Sequence, residues 1–191
     1  MQAHTSCETL DENEDVAALR SAWFQRIDHL QQIVTENAGL ECATRCTARC
    51  CPKSTAIQDP AQAVGHVAIM LPFEREYLLA KTGIPQEKLQ YAPLELSPDV
   101  NIGVGFITSA KPCPFLTADH GCSIHAIRPL DCRSFPLIPF FCSDGSIAFR
   151  VDIECPSAKT ISAAFQARLM EIWRNLLPDM PMSYRMLYNK L

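Results

Sequence analysis

A chain of 191 residues, 48% of them hydrophobic, is long enough to bury an ordinary core and excludes neither one domain nor a domain with extensions. Its 17 basic and 21 acidic residues leave a net charge of -4, which excludes the basic footprint of a nucleic-acid or anionic-membrane binder. Apolar runs such as VAIML and PLIPFFC fall far short of the ~20 residues of a spanning helix, so no membrane partner is expected.

The acidic start MQAHTSCETLDENED has neither the positive n-region nor the apolar core of a secretory signal, so the cytoplasm is the expected compartment. Residues 1–13 read as a flexible N-terminus carrying Cys7, and 14–191 as one cysteine-rich domain. From Asp15 to Ala38, Val16, Leu19, Trp23, Ile27, Leu30 and Val34 recur at helical steps, with Gly39 as the stop. The stripe runs little more than two heptads, so it is expected to pack on the domain core rather than form a coiled-coil seam.

Four cysteines then fall within ten positions, CATRCTARCC at 42–51, and ten stand in the chain as a whole. Disulfides, a metal site and a catalytic thiol are the three chemistries open to them. Adjacent Cys50 and Cys51 bridge each other only with local strain, and a reducing compartment disfavours disulfides further. No signature of a Cys/His nucleophile flanks any of the thiols. A core face would mix in Leu, Val or Ile, and this stretch has none, which leaves metal binding.

On a helix, Cys42, Cys46 and Cys50 share one face, yet Cys42 and Cys50 stand roughly 12 Å apart. Zinc ligands keep their sulfurs within roughly 4 Å of one another, so a straight helix cannot place all three on one zinc ion. Either the segment bends, or it serves more than one metal or a multi-iron cluster, and Cys51 favours the second.

Residues 53–65 read as a loop, HVAIM as a short strand, and PFEREYLLAKTG as a helix opened by Pro72 and stopped by Gly83. Residues 84–105 carry scattered turn formers and read as irregular. FLT and CSI flank ADHG as a hairpin, and SDGSIAFRVD reads as a turn and a strand. From Ser157 to Leu177 a third helix places Ile161, Phe165, Leu169, Ile172, Trp173 and Leu176 on one side. The fold class is α+β, a mostly helical small domain with a cysteine-rich, metal-centred core and short hairpin strands.

Cys113 between two prolines, Cys122, Cys132 and Cys155 join Cys42, Cys46, Cys50 and Cys51 as eight candidate metal ligands, enough for two four-ligand sites or one cluster. Cys142 is as well explained by core packing as by ligation, and Cys7 as a surface thiol. His120 and His125 are secondary candidates, since imidazole suits zinc and iron alike. His29 and His66 read as ordinary helix-surface and strand-edge residues. Arg133, beside Cys132, is expected to offset thiolate charge, whereas Arg45, Arg49 and Arg128 are expected to pair with acids or face water.

CATRCTARCC, then CPFL, GCSIHAIRPLDCRSFP and a late ECP, resemble the zinc- or iron-chelating proteins named for a CxxCxxCC-type motif. Two departures stand out: three residues precede the final CC where the family commonly has two, and His125 stands where it often has Tyr. A branch of similar sequences includes flagellin lysine methylases, which use S-adenosylmethionine and carry an iron–sulfur centre. That branch implies an alternative as a cluster-dependent protein-modifying enzyme, a lysine N-methyltransferase. Against it, the chain has seven glycines and no glycine-rich turn opening a helix for a cofactor.

The expectation is a cytosolic protein holding an iron–sulfur cluster or iron, with zinc as the alternative, because a multi-iron cluster tolerates adjacent and widely spaced thiolates. The rivals are the modifying enzyme, acting on a protein substrate, and a structural zinc module presenting its helices to a protein partner.

Overall fold

The computed structural model describes residues 14–35, 68–98, 100–107, 113–118, 122–153, 155–159 and 161–190. The first helix, α1, spans Glu14–Thr35, with Glu14 and Asp15 at its positive end, where acidic side chains are favoured. Trp23, Ile27, Leu30 and Val34 are buried as the stripe predicts, each contributing on the order of 2 kcal/mol. Leu19 departs from the stripe and is exposed, whereas the polar Gln31 is buried at 8% exposure.

A two-residue strand, β1 (Ala68–Ile69), leads to α2 (Glu74–Thr82), which ends at Gly83 with φ 64° and its N–H on Leu79 O, the predicted stop. Beyond it the structure departs from the expected irregular segment. β2 (Gln90–Ser97) and β3 (Val100–Ile107) form an antiparallel hairpin, and β1 pairs on the other side of β3. Pro93 and two strand glycines mask this pairing in the sequence. Pro93 is tolerated because β2 is an edge strand, and Gly103 and Gly105 because other groups press close to the sheet there.

A single helical turn, α3 (Leu130–Ser134), and a cis Phe135–Pro136 peptide lead into the hairpin of β4 (Leu137–Phe141) and β5 (Ile147–Val151). Gly145 at φ 84° makes the turn, and Asp144 accepts the Ser146 N–H at 2.9 Å. The helix expected from Ser157 begins later than its periodicity suggests. A 3₁₀ turn covers Pro156–Lys159, and α4 runs Ala163–Leu176 behind a Ser162 cap that accepts the Phe165 N–H at 3.1 Å. A further helix, α5 (Met182–Lys190), drives Tyr184 and Tyr188 into the core.

Among the described residues two apolar clusters result. The larger gathers Trp23, Leu30, Phe73, Val104, Trp173 and Tyr184 with their neighbours from α1, the three-stranded sheet, β4, β5, α4 and α5. The smaller holds Ile27, Met70, Tyr77, Leu78, Leu89, Ile107, Phe115 and Ile124. No helix among the described residues is long and apolar enough to cross a membrane.

Candidate metal centre

Cys132 lies on α3, a helix too short for its own hydrogen bonds to orient it, and its neighbours do so instead. Leu130 N–H donates to Glu74 Oε1 at 3.0 Å, and Leu71 N–H donates to Oε2 at 2.8 Å. Asp131 accepts from Ile69 N–H at 2.9 Å and from the Tyr188 hydroxyl at 2.6 Å. Ser134 donates to Leu130 O at 2.9 Å and accepts the Trp173 indole N–H at 2.7 Å. The turn carrying the thiol is thereby tied to α2, β1, α4 and α5, with the side chains of Glu74, Asp131 and Ser134 each matched.

Arg133, 2% exposed, points the other way. Its guanidinium donates to Arg128 O at 2.9 Å, to Gln31 O at 3.4 Å, and also to Ala126 O and Gln31 Oε1. Arg128 is buried as well and donates to His125 O at 2.8 Å, so it neither pairs with an acid nor faces water as expected. Of the hairpin expected around ADHG, the described residues show a Leu116–Cys122 bridge with Ser123 N–H on Phe115 O at 2.9 Å, which ties the Cys113 segment to that of Cys122.

Cys113, Cys122 and Cys132 all pack, half-buried, against the smaller apolar cluster. Soft thiols in partly apolar surroundings with a buried guanidinium beside one of them suit zinc, iron or an iron–sulfur centre. Cys155 lies in the turn after β5, where its N–H meets Asp152 O at 3.2 Å. Cys142 sits in the β4–β5 turn, with its N–H on Ser146 O at 2.9 Å. Cys7, Cys42, Cys46, Cys50, Cys51, His66 and His120 lie outside the described residues. Among the described residues no three His, Cys, Asp or Glu side chains form a metal-holding group by themselves, and no two cysteines form a disulfide.

The electrostatics follow from burial. Desolvation pushes Glu74 up to about 7 and Asp131 up to about 6, against the backbone N–H bonds that each accepts. Burial, then the charge of Arg128, bring Arg133 down to about 10. Partial burial and the charges of Arg128 and Arg133 hold the imidazole of His125 below its ordinary value.

Sequence reasoning missed Glu74, Asp131 and Gln31 as parts of this region. Gln31 alone leaves a trace, as a polar residue amid the buried positions Ile27, Leu30 and Val34.

A family model described as a "putative zinc- or iron-chelating domain", CxxCxxCC, matches residues 41–156, more than half of the chain. No curated protein and no solved structure matches.

Proposed function

Because this chain belongs to the CxxCxxCC family of zinc- or iron-chelating domains, we propose that it holds an iron–sulfur cluster or iron through Cys42, Cys46, Cys50, Cys51, Cys113, Cys122, Cys132 and Cys155. The observation that carries this reading is the arrival of Cys113, Cys122 and Cys132 at one apolar cluster. Each thiol reaches it by a different local device: a proline-flanked segment, a one-bridge hairpin return and an anchored helical turn. Core packing alone does not call for three thiols against a cluster whose buried members are all larger side chains.

The count of thiolates favours a multi-iron centre over a single tetrahedral zinc ion. When bound, such a centre supplies one-electron chemistry in a reducing compartment, the cytoplasm. The chain's own part is to keep the thiols together and partly dry. Buried Arg133 places positive charge near Cys132, where a thiolate would carry negative charge.

Elemental analysis with acid-labile sulfide determination on anaerobically purified protein tests this. Iron with comparable sulfide supports the cluster, zinc without sulfide replaces it with a zinc site, and well-folded protein holding neither metal ends the reading.

A further inference from the structure

Four consecutive main-chain carbonyls, from His125 to Arg128, each receive a side-chain N–H. His125 O is met by Arg128 Nη1 at 2.8 Å, and Ala126 O by Arg133 Nη2. Ile127 O is met by Gln31 Nε2 at 3.3 Å, and Arg128 O by Arg133 Nε at 2.9 Å, with Gln31 Nε2 at 3.5 Å. A 3₁₀ turn of three residues leaves such carbonyls without helical partners, so side chains supply them. Gln31 and Arg133 also bond each other, so α1 and α3 grip the segment from two sides.

That segment is the link between Cys122 and Cys132. We infer that Arg133, acting with Gln31, is a positioning residue that sets the separation of these two sulfurs before metal capture. The inference rests on the metal-binding reading above. Without the grip, ordering the link becomes part of the cost of binding, and affinity falls with it. Charge compensation alone does not require this geometry. A lysine preserves the charge, but its compact ammonium cannot reproduce the rigid fork that reaches Arg128 O, Ala126 O and Gln31 together.

The test is an anaerobic Co²⁺ titration of the metal-free full chain, read by the thiolate-to-cobalt charge-transfer and d–d bands. Arg133→Lys is expected to weaken Co²⁺ binding about tenfold or more and to shift the d–d bands. Gln31→Leu is expected to move both in the same direction, with the far-UV circular dichroism of both variants at wild type. Wild-type affinity and spectrum in both variants overturn the inference and leave the metal reading standing. If Arg133→Lys does not fold, Gln31→Leu decides alone by the same readouts, and failure of both to fold assigns the grip to the fold and overturns the inference. A wild-type protein without a thiolate-to-cobalt band removes the metal reading itself, and the inference with it.

Discussion

Tyr188 donates its hydroxyl to Asp131 at 2.6 Å, and that bond fastens the C-terminal helix to the turn that carries Cys132. The other oxygen of Asp131 takes the Ile69 N–H, so one buried carboxylate joins α3, α5 and β1. Tyr188→Phe keeps the ring against Phe141 and Trp173 and removes only the hydroxyl. The expected loss is about 2 kcal/mol, the size of a hydrogen bond to a buried charge, read as a lower denaturant midpoint with an unchanged slope. An unmoved midpoint would show that this bond carries no net stability.

Glu74 makes the stability depend on pH. Its carboxyl titrates near 7 in the folded chain, against an ordinary value of 4.5, because burial disfavours the charged form. The folded state therefore prefers the neutral acid. Its contribution is fully present below pH 4.5 and is lost as pH rises through 7, by about 3 kcal/mol from the size of the shift. In Glu74→Gln this slope disappears, although an amide facing both Leu71 N–H and Leu130 N–H is destabilising throughout. Urea unfolding of both proteins between pH 4.5 and 7 should give curves that diverge at the acid end; parallel curves would refute the assignment.

The two strand glycines should respond differently to alanine. A Cβ on Gly105 would stand 2.4 Å from Met70 Sδ and 2.9 Å from Arg75 Cβ, and Arg75 Cβ is fixed to its helix. On Gly103 the nearest atom is Tyr91 Cδ2 at 3.0 Å, on a ring that is 59% exposed and can move outward at the cost of its stacking with the Arg75 guanidinium. Gly105→Ala is expected to cost about 1–3 kcal/mol and Gly103→Ala clearly less, measured by thermal unfolding. Equal losses would mean that the sheet, rather than the contact, sets the penalty.

Cys132→Ser and Cys142→Ser separate ligand from bystander. The first removes one of the three thiols packed against the smaller apolar cluster and should lower the metal content of anaerobically prepared protein substantially. The second alters a turn residue of the β4–β5 hairpin and should leave metal content unchanged. Loss of metal in Cys142→Ser would move that thiol into the ligand set.

The helices with a long apolar period were legible. α1 and α4 follow from their stripes, and α2 from Pro72 and Gly83, because a buried face leaves its repeat in the residues whatever it packs against. The β2–β3 hairpin was not, since Pro93, Gly103 and Gly105 are poor strand formers that only an edge position and tight packing excuse. α5 was passed over because its signal is two tyrosines four residues apart in a nine-residue helix.

The sequence by itself determined that this is a thiol-rich chain of the metal-chelating type, since ligand chemistry resides in residue identity and Cys, Arg-Pro, Cys-Arg and Phe-Pro follow in order. Only the tertiary structure decided that RPLDCRS is the junction of the fold. Asp131 and Ser134 look like surface residues in the sequence and Arg133 like a counter-charge to Cys132, and all three become buried anchors because their partners Tyr188, Gln31 and Trp173, dozens of residues away in the chain, are brought beside them. A buried polar group has to be matched, and the matching partner is chosen by three-dimensional proximity, which no local pattern records.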